Sequence, residues 1–334
     1  MSSRLSARRA ISIASALLTL GMSAPPDAAR AETGSPVFIT LGTGGGPVIR
    51  TNRSQPANAL VVNNAVYLID IGAGTQRQLA RAGLDPQKVR AIFLSHHHVD
   101  HVSDLGPFLF NRWLLFGESA LPVIGPPGTV AMVDGLIRAA RPIELAPVTI
   151  GGPAKLPVGA TVLPRDLSER MDSPDLIYKD ENIRVFAVTN NHYHFEKGSA
   201  ADHFSRSFAF RIETYGKIYV YTGDTGWSEK VVRLAKNADV LISEVIDIPG
   251  VERALRADGH IPEAAMPGLL AHMQQDHLTP RQVGEIAKLA GVKAVVLTHL
   301  VPGDDLSVDL GVYSAGVTQI FHGPVKVAAD LDRF

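Results

Sequence analysis

The stretch Ser95-His96-His97-His98-Val99-Asp100-His101 sets the tightest limit on what this chain can fold into. It follows the apolar, β-prone run Ala91-Ile92-Phe93-Leu94, so a strand must deliver four histidines and an aspartate to one of its ends. Imidazole and carboxylate are the donors that suit zinc and neighbouring divalent ions. In an extended or looped segment, residues two apart project to the same side. His96 and His98 can therefore share one metal, while Asp100 and His101, beyond the bend, can serve a second. A solvated histidine-rich loop is the plain alternative, but such a density of donors at a strand end is hard to reconcile with packing.

Three further segments repeat the same grammar, an apolar strand ending in a potential ligand. Ile183-Arg184-Val185-Phe186-Ala187-Val188 runs into Thr189-Asn190-Asn191-His192-Tyr193-His194, Ile218-Tyr219-Val220-Tyr221 into Thr222-Gly223-Asp224-Thr225, and Ala294-Val295-Val296-Leu297 into Thr298-His299-Leu300. In open α/β sheets the loops at the carboxyl ends of strands converge on a rigid scaffold, and sites gather there. An aspartate after glycine is ordinarily a turn residue; beside the 95–101 cluster, Asp224 reads as a ligand. Gly42-Thr43-Gly44-Gly45-Gly46 also follows a strand. Pro47-Val48-Ile49 comes next and no helix opens there, so it lacks the context of a nucleotide-binding loop. A tight turn bordering the site is expected instead.

These residues carry a resemblance. His96-x-His98-x-Asp100-His101, with His192, Asp224 and His299 downstream, looks like the metallo-β-lactamase superfamily, and within it the ribonuclease Z and arylsulfatase-type branch. Phe38 to Gly44, Leu68 to Gln76, Ile124 to Thr129 and Tyr221 to Thr225 are similar to recurrent segments of that branch, so the likeness covers most of residues 36–334. The resemblance implies an αββα sandwich with the site at one edge between two sheets. It also implies two divalent metal ions, zinc first, with manganese or iron also compatible with these donors. His96, His98 and His192 would hold one ion, with His194 as the alternative to His192. Asp100, His101 and His299 would hold the other, Asp100 counting also among the catalytic groups, and Asp224 would bridge. His97 occupies a variable position and should point away.

Two such ions lower the pKa of a shared water and polarise the bond under attack. That chemistry suits phosphodiesters and sulfate esters first, lactones next. A hydrolytic dehalogenase or other xenobiotic hydrolase and a non-catalytic metal-binding or sensing protein are the alternatives. Asp276-His277-Leu278-Thr279 is similar to the family element that supplies an acid, and Glu244 after Leu241-Ile242-Ser243 to its acidic partner. A carboxylate would orient His277 and keep it protonated. Leu278 departs from the family's small residue.

Arg4, Arg8 and Arg9 precede the short apolar stretch 10–20, and Ala29-Arg30-Ala31 precedes Glu32. This is the order of a secretory signal peptide, so residues 1–31 are expected to be removed. Residues 32–334 would remain as a single periplasmic or secreted domain, with no stable membrane association after cleavage. The absence of cysteine makes every protein ligand His, Asp or Glu. Thirty-two basic and 33 acidic residues leave a net charge of −1, which gives no footprint for a polyanion. The expected partner is a small-molecule ester and not a nucleic acid; a homodimer is compatible with the family.

Alternating strand and helix signals argue α/β layers. Helices are predicted over 75–82, ended by Gly83, over 129–140, and from Pro280 to Ala290 between Thr279 and Gly291. Residues 150–180 read as a loop or hairpin insertion, and 248–276 as an insertion covering the site. Phe108, Phe110 and Trp113 are expected in the core, and His203, His260, His272 and His322 at the surface.

Overall fold

Side chains alternate along a strand, so each strand feeds two cores, one on either face of its sheet. The computed structural model describes residues 35–116, 119–146, 156–303 and 309–334; the expected signal peptide lies outside them. One six-stranded sheet runs in sequence order through β1 (Val37–Gly42), β2 (Ala57–Val62), β3 (Ala65–Ile71), β4 (Val89–Phe93), β5 (Leu121–Gly125) and β6 (Val162–Asp166). The other holds β7 (Asp175–Lys179), β8 (Arg184–Thr189), β9 (Phe208–Thr214), β10 (Lys217–Tyr221), β11 (Val240–Ile246), β12 (Ala294–Val301) and β13 (Val325–Val327), in the order β13 to β7.

Tyr67 and Ile69 of β3 meet Phe210, Tyr219 and Ile242 of the facing sheet. Val66 and Leu68, alternating with them in sequence, pack instead on Leu105, Phe108 and Val133 of the outer helices. On the far side, Val220, Leu241 and Val295 pack on Val231, Val283 and Tyr313. The layers are helix, sheet, sheet, helix, the αββα sandwich expected. Phe108 and Trp113 are buried as predicted, and Phe110 is half-buried against the clusters that hold them.

Helix boundaries follow their signals. The Thr279 hydroxyl accepts from Gln282 N while the Gln282 side chain reaches back to the Thr279 N–H, a capping box worth about 1 kcal/mol. Gly291 ends that helix at φ 65°. The helices at Thr75–Arg81 and Thr129–Ala139 lie where predicted. Among the described residues, no helix is long and apolar enough to cross a membrane.

One expectation needs correcting. The described part of 150–180 is no insertion but supplies an edge strand to each sheet: β6 pairs parallel with β5, and β7 antiparallel with β8. Both are edge strands with mostly exposed or half-buried residues, so neither carries the apolar run that marks an interior strand. Helices Ile248–Asp258 and Met266–Asp276 pack through Leu255, Leu270 and Met273 onto Ile246 and Val301. The last residues of the second reach the site.

Candidate metal centre

The site forms where four strand ends meet, and local backbone irregularities aim its side chains. Asp70 is the extra residue on β3 where the pairing with β2 shifts register, and its φ of 60° takes its carboxylate out of the strand's alternation. There it accepts from Ser95 N at 2.7 Å, Ser95 Oγ at 2.8 Å and Tyr221 OH at 2.9 Å, and it meets His101 Nδ1 at 2.8 Å. His299 has φ 44° where β12 slips against β11. Asp224 follows Gly223 at φ 58°, where a Cβ would lie 2.6 Å from the Phe208 carbonyl oxygen. Asn190 Nδ2 donates to the Thr222 and Asp224 carbonyls, tying the turn to the end of β8.

The Gly-rich turn borders the site as expected. Gly46 N–H donates to Asp100 Oδ2 at 3.0 Å. A Cβ on Gly45 would stand 2.5 Å from His299 Nδ1, so the backbone approaches closely only because the side chain is absent.

Donor atoms of His96, His98, His192 and Asp224 converge within 4.8 Å of one another, and so do those of Asp100, His101 and His299. Asp224 Oδ2 links the groups, lying 3.8 Å from His96 Nε2, 3.4 Å from His101 Nε2 and 3.0 Å from His299 Nε2. His96 Nε2, His101 Nε2, His299 Nε2 and Asp224 Oδ1 are buried without a hydrogen-bond partner. Buried polar atoms are ordinarily satisfied, and this set of orphaned nitrogens and a carboxylate oxygen fits divalent metal. The sequence left His192 and His194 as alternatives. The fold turns His192 inward, its Nε2 3.1 Å from His98 Nδ1, while His194 contacts Asp276 Oδ1. His97 points away, to Thr129 Oγ1.

Electrostatics divides the histidines. Burial holds His96 and His98 below the ordinary imidazole value and His192 at about 3, leaving neutral rings with lone pairs to offer. Burial also opposes charge on His101 and His299, but nearby carboxylates outweigh it. Asp224, Asp100 and Asp70 raise His101 well above normal, and Asp224 and Asp100 push His299 up to about 10. Burial likewise opposes charge on Asp224, and His299 and His101 overcome it to hold the carboxyl well below its usual range. At neutral pH the metal-free protein therefore carries protons on His101 and His299 that a metal must displace. Zinc loading is expected to release protons and to weaken by up to about a hundredfold per pH unit on acidification, the limit for two displaced protons. Calorimetry in buffers of different ionisation enthalpy measures that release.

His277 Nδ1 lies 2.8 Å from Glu244 Oε2, and the other Glu244 oxygen accepts from Thr225 N at 2.7 Å. Burial works against a charged His277, and the Glu244 carboxylate prevails to raise it above its ordinary value. Its ring centroid stands 5.1 Å from that of His192 and 5.9 Å from that of His299, so it overlooks both groups. His203, His260, His272 and His322 are exposed.

The sequence profile of the Beta-lactamase superfamily domain matches residues 66–300. The chain belongs to the metallo-β-lactamase superfamily. Within that superfamily it is similar to a ribonuclease Z of Mycolicibacterium paratuberculosis, 27% identical over 302 residues that cover 89% of this chain and 97% of that protein. Two solved structures share the metallo-β-lactamase fold. The fold protein YhfI of Bacillus subtilis has a TM-score of 0.63 at 19% identity and covers 90% of this chain and 98% of its own. The short form of human tRNase Z has a TM-score of 0.59 at 22% identity, with 89% and 98% covered. As a member of this superfamily with a His/Asp donor set that is buried except at His98, the protein is a metal-dependent hydrolase.

The roles of Asp70, Ser95, Asn190 and Asp276 were not assigned from sequence. A charged residue between Ile69 and Ile71 in an apolar strand was the available signal for Asp70. Asp276 acts through its backbone, its carbonyl lying 3.0 Å from His192 Nδ1, and no sequence pattern announces that. A carboxylate holding the far nitrogen of a ligand imidazole fixes its tautomer, and removing such a partner typically costs about 10–100-fold in metal affinity. Asp70→Asn is expected to weaken zinc binding by that factor, as read by competition with a chromogenic chelator.

Proposed function

We propose that this protein is an exported hydrolase that uses two divalent metal ions, zinc first, to cleave small esters, phosphodiesters ahead of sulfate esters and lactones. The observation that carries this reading is the sharing of Asp224 Oδ2 between two donor groups beside the His277–Glu244 pair. His96, His98 and His192 would hold one ion, Asp100, His101 and His299 the other, and Asp224 both. When bound, the ions supply Lewis acidity and an activated water.

The chain's own groups do the rest. Asp70, directly at His101 and through Ser95 at His96, orients one ring in each donor group. Glu244 holds His277 Nδ1, leaving the opposite ring nitrogen to give its proton to the departing oxygen. Signal-peptide order at residues 1–31 supports a periplasmic or secreted location, tested by cell fractionation.

The expected result is zinc-dependent cleavage of bis(p-nitrophenyl) phosphate. A zinc-loaded protein that cleaves neither this diester nor the corresponding sulfate ester or lactone would remove the proposal. A second reading, RNA cleavage, is favoured by the ribonuclease Z relative and its 97% coverage. The balanced charge of this chain argues against it, and a tRNA substrate assayed beside the diester decides between the two.

A further inference from the structure

Several exposed apolar side chains stand on the segments that carry the candidate ligands. Val99, between His98 and Asp100, is 60% exposed. Val48 and Ile49 are 63% and 71% exposed, just beyond the Gly46 N–H that holds Asp100. The Tyr193 ring lies 4.8 Å from that of His192 and 5.3 Å from that of His98. Phe195, 40% exposed, stacks on Tyr193 at 5.0 Å with the planes 22° apart. An aromatic stack thus leads from two ligand imidazoles to solvent.

Isolated exposed apolar residues are ordinary on a protein surface, but several around one catalytic opening mark a binding surface. An uncharged aryl or alkyl group reaching this stack would cover the exposed Phe195 ring.

We propose that the Tyr193–Phe195 stack, which starts at the His98 and His192 rings, is a subsite for an uncharged apolar group attached to the ester that the metal centre cleaves. The inference rests on the hydrolase reading above and names the substrate class within it. Stacking and ring burial of this kind are worth up to about tenfold in affinity.

Calorimetry of the zinc-loaded protein with phenylphosphonate and methylphosphonate tests it, since both present the same anion to the metals and differ only in the flank. Phenylphosphonate is expected to bind about tenfold more tightly, and Phe195→Ala to cut that ratio to about two. Phe195 is exposed, so its truncation leaves the core intact. Equal affinities, binding of neither compound, or an unchanged ratio in the variant would overturn the subsite. The measurement reads binding, so a metal-loaded protein without turnover still answers it. Failure to cleave any ester counts against the hydrolase reading alone.

Discussion

Asp224→Ala is expected to abolish measurable cleavage of bis(p-nitrophenyl) phosphate, a loss of about 10³-fold or more, or about 4 kcal/mol at 1.36 kcal/mol per tenfold. It is also expected to lower bound zinc from the two ions per chain proposed above to one or none, read by elemental analysis after gel filtration. The reason lies in the position of one oxygen. Asp224 Oδ2 is within 4 Å of His96, His101 and His299 at once, so truncation takes a donor from both groups together. It also removes the carboxylate that, with Asp100, raises His299 and, with Asp100 and Asp70, raises His101. The comparison variant is His96→Ala, which touches only one group and should leave the other ion in place. Equal zinc content in Asp224→Ala and the parent would show that the oxygen bridges nothing.

The candidate donors were legible in the sequence because metal ligation demands particular residue types, here at strand ends. His96, His98, Asp100, His101, Asp224 and His299 each follow or end an apolar run, and the fold brings all of them together. Layer order was legible too, since interior strands such as β4 and β11 carry apolar runs, Ala91-Ile92-Phe93 and Val240-Leu241-Ile242. The edge strands β6 and β7 were not, because a strand paired on one side and half exposed has no need of that pattern. Nor were the supporting groups. Asp70 and His299 work through left-handed backbone at register shifts, and a shift is a property of two strands that neither strand's sequence contains. His192 and His194 differ only in which way a loop turns, which Asp276, 82 residues from His194, helps decide.

His277→Ala is expected to separate substrates by their leaving groups. A p-nitrophenolate leaves without help, so its cleavage should fall no more than about threefold; an alkoxide needs a proton, and its cleavage should fall by about 10²–10⁴-fold, the usual range for a positioned acid. The sign of the pH dependence follows from Glu244. Its carboxylate raises the His277 pKa above the ordinary imidazole value, so the acid keeps its proton to higher pH than a free imidazole would and the alkoxide rate declines as pH rises through that raised value. In the variant that alkaline limb should vanish while the metal-dependent acidic limb remains. Glu244→Gln keeps a hydrogen-bonding group but loses the charge, and should move the limb to lower pH. His277 also falls within reach of Asp224 and His299, so zinc content must be measured alongside. Loss of zinc with equal losses on both substrates would make His277 a ligand; unchanged zinc with a leaving-group-dependent loss makes it the acid.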